Sequence, residues 1–161
     1  MRPVRFCMIL PNESLAAAAR VLEIPQLAIQ VGGLQQALQQ ADLALTKSGT
    51  ITLECAFFGV PAVVFYKTSP VTYLVGKQLV KVKHLAMPNL LADETVFPEF
   101  IQSAATPENI ARAALELLDD AARRNKVKAR LGEIVSSLGL PGASQRAARA
   151  IAQLLTSSAG R

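Results

Sequence analysis

Ser48, Gly49 and Thr50 stand where the run Ala41-Asp42-Leu43-Ala44-Leu45-Thr46-Lys47 gives way to Ile51-Thr52-Leu53-Glu54-Cys55-Ala56, with Gly59-Val60-Pro61 closing the stretch. Read as an apolar strand turning directly into a helix, this brings free backbone N–H groups and one or two hydroxyls to a helix N-terminus. Such a terminus accepts a phosphate-sized anion. The same residues also make an ordinary capped turn without a ligand, since Ser and Thr are common N-caps and Gly a common turn residue. Taken alone, the turn leaves both readings open.

Other polar groups sit in unusual company. Asn89, Glu99 and Gln102 lie among apolar residues in a stretch punctuated by Pro88 and Pro98, where they can orient a ligand or cap local backbone groups. The apolar segment from Pro70 to Lys83 gathers cations toward its end. It reads either as a packed helix whose lysines complement the dipole, or as a patch for acidic lipid headgroups built on Tyr73, Leu74, Lys77 and Lys81. His84 stands alone and is left outside the chemistry. Cys7 and Cys55 have no partner at metal-ligand spacing and are expected to be small core residues in a reducing cytoplasm.

The elements that must position these groups alternate. Strands are expected at Arg5–Leu10, Gln26–Val31, Asp42–Thr46 and Ala62–Tyr66, with helices at about Ser14–Leu22, Leu34–Ala41 and Gly49–Phe58 between them. The strands are continuous apolar runs, the pattern of strands covered by helices on both faces. This predicts an α/β fold, a Rossmann-like doubly wound parallel sheet, with ligands at the carboxyl ends of its strands. The turn at 48–50 lies at such an end. The segment from Leu85 to Gln102 reads as loop. Thr106-Pro107-Glu108 then starts a helix running to about Asp119; a basic helix follows from Ala121 to Leu138, and Ser144 is expected to cap a last one through Leu155.

The chain of 161 residues, 51% apolar and 18% charged, is sized for a single domain with a substantial core. Charges interrupt every apolar run short of membrane-spanning length, and the N-terminal run ends at Pro11 without a cleavage pattern, so it is read as a strand. A formal charge of +5 favours anionic partners. With 5% aromatic residues and no RNA-type aromatic motif, nucleic acid is not expected among them.

Taken in order, Ser48-Gly49-Thr50-Ile51-Thr52-Leu53-Glu54, Gly59-Val60-Pro61 with its Val-rich strand and Tyr66, Pro88-Asn89-Leu90-Leu91, Pro98-Glu99 and Gln102 resemble the C-terminal half of lipid-A-disaccharide synthase, from about Leu43 to Leu117. The resemblance implies one half of a glycosyltransferase-B fold: a single UDP-sugar-binding domain over 1–161, without the N-terminal acceptor domain and without the first strand of this domain. It implies transfer of diacylglucosamine from a UDP donor to diacylglucosamine 1-phosphate. The setting would be cytoplasmic, at the inner-membrane surface of a Gram-negative cell, with no cofactor and no metal and with a homo-oligomer left open.

Carried across, Ser48, Gly49 and Thr50 would face the diphosphate, and Glu54, one helical turn on, would hold the ribose hydroxyls. Asn89, Glu99 and Gln102 would contact the sugar or phosphates. Asp42, Asp93 and Glu99 are candidates for a general base by position only; in the family the base is expected from the absent domain, so the catalytic residue stays unassigned and the isolated chain is expected to be inactive. Two alternatives remain: a UDP-sugar transferase of the peptidoglycan N-acetylglucosaminyltransferase type, and a non-catalytic nucleotide- or lipid-binding module.

Overall fold

Asn12 opens the first helix in an extended conformation, its side chain accepting from the Leu15 N–H at 3.0 Å, with Glu13 in the first turn and Arg20 in the last. That helix, α1 (Glu13–Arg20), connects two strands, β1 (Phe6–Leu10) and β2 (Leu27–Val31), which pair in parallel. The structure is a computed structural model and describes residues 4–70, 72, 73, 82–139 and 142–158. Gly32 and Gly33, both with positive φ, turn the chain into α2 (Leu34–Gln40).

The second unit is larger. β3 (Ala44–Lys47), α3 (Ile51–Phe57) and β4 (Ala62–Tyr66) form a parallel βαβ, and β5 (Glu99–Ile101) adds to the far side of β4, again in parallel. The strands therefore form two sheets, β1-β2 and β3-β4-β5. α4 (Met87–Ala92), α5 (Pro107–Asp119), α6 (Ala121–Ser137) and α7 (Ala143–Ser158) complete the described elements. Thr106 caps α5 through the Asn109 N–H at 3.2 Å, and Asp120 ends α5 and caps α6 through the Arg123 N–H at 2.8 Å. This is the expected α/β architecture with parallel strands and terminal helices.

Its core is organised about β4. Successive strand residues face opposite ways, so Val64 joins Cys55, Ala56, Phe97, Leu131 and Ile134 on one face, while Val63 meets Ala113, Ala114 and Leu117 of α5 on the other. Phe97 and Leu131 are fully buried, each worth about 1.5–3 kcal/mol by transfer. β4 is thus covered on both faces, as its sequence predicts.

Three expectations are corrected. The stretch read as loop contains α4 and β5: Pro88 suits the first turn of a short helix, and Glu99-Phe100-Ile101 extends because it pairs with Val64, Phe65 and Tyr66, a long-range gain that local pattern does not carry. β1 and β2 are partly buried or exposed along their whole length, with no fully buried residue, rather than sandwiched, and Cys7 is exposed. The last helix starts at Ala143, so Ser144 lies inside it. The helix expected over 70–83 falls mostly outside the described residues.

Candidate functional site

Parallel pairing puts the carboxyl ends of β3, β4 and β5 on one side, so Ser48, Lys67 and Gln102 leave the sheet together. The Ser48 N–H still donates to the Phe65 carbonyl at 3.3 Å, after which the ladder ends. Gly49 takes φ 150°, a region that favours glycine, with nothing within 4 Å of where a Cβ would stand. Backbone conformation, not crowding, requires glycine here.

The turn is anchored from behind by two hydroxyls. Ser48 Oγ donates to the Leu85 carbonyl at 2.8 Å. Thr52 Oγ1, fully buried, donates to the Gly49 carbonyl at 2.7 Å and accepts from the Met87 N–H at 3.1 Å. Gly49 and Thr50 are exposed, and their N–H groups meet no backbone acceptor among the described residues. Thr50 precedes α3 with its hydroxyl uncommitted to a cap. Two exposed N–H donors and a hydroxyl are therefore offered at the sheet edge, although α3 has only seven residues and contributes a small dipole. Glu54 lies one turn on, half-buried in the first turn of α3.

Lys47 adds a cation that sequence reasoning did not single out. Its ammonium lies 5.3 Å from the centroid of the Tyr66 ring, at the same strand ends. The signal was available: a lysine immediately before Ser-Gly-Thr. Thr52 was also missed, although a hydroxyl two residues after Thr50 in an apolar helix was its mark.

Asn89 and Glu99 come together behind this turn, Gln102 lies apart from them on the loop after β4, and each is engaged with protein. Asn89 is fully buried; its Nδ2 donates to the Phe97 carbonyl and to Glu99 Oε1, both at 2.8 Å, and its Oδ1 accepts from the Val96 and Phe97 N–H groups at 3.0 and 2.8 Å. Glu99 also accepts from the Ala86 N–H at 2.7 Å and from the Leu85 N–H at 3.0 Å. Gln102, at φ 51°, clamps the backbone of Thr68, accepting from its N–H at 2.8 Å and donating to its carbonyl at 3.1 Å. These three side chains fix the 85–89 backbone and the loop after β4. Through Leu85 and Met87 that backbone holds the Ser48–Thr50 turn.

Of the other candidates, Asp93 pairs with Lys83 at 3.2 Å on the surface, and Asp42 is exposed. Tyr73 is exposed, its N–H bonded to the Ser69 carbonyl at 2.9 Å; Leu74, Lys77 and Lys81 lie outside the described residues. Burial pushes the Cys55 thiol up to about 12, the Glu54 carboxylate adding to the effect, so it is an inert core residue at neutral pH. No group of three metal-ligating side chains occurs among the described residues, nor any helix long and apolar enough to cross a membrane.

This arrangement of turn and supporting loop can be set against known proteins. A model of the lipid-A-disaccharide synthetase family matches residues 15–153. The chain belongs to that family. Among curated lipid-A-disaccharide synthases, that of Syntrophus aciditrophicus is 44% identical over 117 residues, covering 73% of this chain and 30% of the relative. That of Solibacter usitatus is 46% identical over 120 residues, 74% of this chain and 32% of the relative. An Anaeromyxobacter synthase is 40% identical over 139 residues, 86% and 36%. The chain thus spans about a third of the length of the lipid-A-disaccharide synthases it matches.

Proposed function

We propose that the chain is the donor-binding part of a lipid-A-disaccharide synthase, which transfers diacylglucosamine from its UDP donor to diacylglucosamine 1-phosphate, giving lipid A disaccharide and UDP. The observation that carries this reading is the exposed turn at the carboxyl end of β3, where the N–H groups of Gly49 and Thr50 meet no backbone acceptor. They and the Thr50 hydroxyl would bind the diphosphate, with Lys47 adding charge. Glu54 would accept from the ribose hydroxyls. Asn89, Glu99 and Gln102 would serve the sugar and phosphates mainly by fixing the backbone around them.

The reaction is an inverting displacement at the anomeric carbon. It needs a base for the acceptor hydroxyl and stabilisation of the departing UDP. The turn supplies the second. The base and the acceptor site would come from polypeptide outside these 161 residues. By itself, therefore, the chain is expected to make no disaccharide. Tyr73, with Leu74, Lys77 and Lys81, would meet the cytoplasmic face of the inner membrane, and self-association is compatible with this role.

Calorimetric titration with UDP tests the site. Thr50→Ala should weaken binding about fivefold, the value of one hydrogen bond near 1 kcal/mol. Glu54→Ala should weaken it about tenfold or more, since a charged acceptor is lost. Unchanged affinity in both variants would remove the assigned site.

A further inference from the structure

Thr52 is fully buried in α3, and its one hydroxyl oxygen serves two elements. The Met87 N–H can only donate, so at 3.1 Å it takes a lone pair of Thr52 Oγ1. That leaves the single hydroxyl proton for the Gly49 carbonyl, 2.7 Å away. The same carbonyl accepts from the Thr52 N–H at 3.1 Å. One residue thus supplies both hydrogen bonds that the Gly49 oxygen can take, and Met87 fixes which way its hydroxyl points.

The Gly49 carbonyl and the Thr50 N–H are the two ends of one planar trans peptide, and they point in opposite directions. Holding the carbonyl toward the buried Thr52 therefore turns the Thr50 N–H to the exposed side, where no backbone group accepts it among the described residues. Two donors on the carbonyl also polarise the amide and strengthen its N–H. Gly49 restrains this plane weakly: at φ 150°, with nothing within 4 Å of where a Cβ would stand, it leaves the peptide free to swing. The direction of the donor is thus set from Thr52 and owes little to the dipole of the seven-residue α3.

We infer that Thr52 is a positioning residue for the diphosphate: it touches no ligand itself, and its buried hydroxyl aims the Thr50 N–H at the anion. This role deepens the nucleotide reading of the turn and rests on it. A donor already aimed needs no reorientation when the anion arrives, so the ordering cost of binding falls. The nucleoside gains nothing from this peptide, since the ribose is assigned to Glu54 and the 49–50 amide to the phosphates. The influence of Thr52 is therefore confined to the phosphate end of the ligand. Ser48 differs from it: its hydroxyl ties the turn to the Leu85 carbonyl at 2.8 Å and engages neither end of the 49–50 peptide.

Calorimetric titration of the 161-residue chain with UDP and with uridine tests this, together with the amide nitrogen resonance of Thr50 in the free chain. Thr52→Val nearly keeps the volume and removes the hydroxyl. Its UDP affinity should fall about fivefold, the value of one hydrogen bond, while its uridine affinity holds within about twofold. The Thr50 nitrogen resonance should move upfield as its peptide loses polarisation. Thr52→Ser keeps both donor and acceptor and should restore the affinity and the resonance. If the valine variant does not fold, with the Met87 N–H unpaired, Thr52→Ala leaves room for a water there and carries the same predictions. A wild-type chain that binds UDP no more tightly than uridine would remove the nucleotide reading and this role with it. A wild-type preference for UDP that survives in Thr52→Val would overturn the role of Thr52 alone. Equal losses for UDP and uridine would overturn it as well, being the mark of a residue that only holds the fold.

Discussion

Replacing Asn89 by alanine isolates what the buried network does. The side chain makes four hydrogen bonds within a region shielded from water, to the Val96 and Phe97 N–H groups, the Phe97 carbonyl and Glu99. Alanine leaves the N–H and carbonyl of the fully buried Phe97 without partners, whereas the Val96 N–H keeps the Glu94 carbonyl at 3.1 Å. Each orphan costs about 1–3 kcal/mol. Water entering the space relieves part of this, so a loss of about 2–4 kcal/mol is expected, a large share of a typical domain's 5–15 kcal/mol. With a urea m-value of about 2 kcal/mol/M, the midpoint should fall by about 1–2 M with m unchanged. Asn89→Asp adds a second arm. It sets a carboxylate against Glu99 Oε1, now 2.8 Å from the Asn89 amide, and two carboxylates at that separation share one proton. The folded protein then holds a proton that the unfolded chain releases, so the stability of this variant should fall as pH rises from about 4 to 7. A destabilisation by alanine below about 1 kcal/mol would refute the reasoning, as would lost UDP affinity at unchanged stability.

Two further perturbations discriminate among features that look alike on paper. Below pH 9.0 the Cys55 thiol is protonated whether the chain is folded or not; above it the unfolded chain ionises first, because the folded thiol titrates near 12. Stability should therefore decline between pH 9 and 12, by up to about 1.4 kcal/mol per pH unit. In urea titrations at a series of pH values, the gap between wild type and Cys55→Ala should shrink over that range, and a constant gap would contradict the assignment. Arg124 donates to the carbonyls of Leu117 and Leu118 at the end of α5, at 2.9 Å for Leu117, whereas Arg130 pairs on the surface with Glu94 and Glu133. Arg124→Met should cost about 1–2 kcal/mol in thermal unfolding. Arg130→Met should change the midpoint marginally and lose even that in salt.

The alternation of strands and helices through Tyr66 was legible because each element there carries its own period and its own punctuation. The turn at 48–50 was legible for the same reason: Ser, Gly and Thr at a strand end are a local signal. What was not legible came from long-range pairing. β5 is three residues long and extended only because β4 lies beside it. Cys7 reads as core because its strand is apolar, yet its exposure depends on which strands stand next to β1. Asn89, Glu99 and Gln102 were found as polar residues in apolar company, and the sequence left open whether they orient a ligand or satisfy backbone. Their bonds in the structure run to backbone and, between Asn89 and Glu99, to one another.

The two hydroxyls behind the turn have a consequence for motion. Ser48 is tied to Leu85 across 37 residues of sequence, and Thr52 joins Gly49 to Met87 through one oxygen. The strand-end turn and the start of α4 are thereby riveted into one rigid body. Any displacement that brings the exposed donors toward a ligand must carry the 85–89 backbone with it. The two segments should then share one opening free energy in hydrogen exchange instead of fraying separately. A serine and a threonine make the floor of the site move as a plate, where a loop of the same length would ripple.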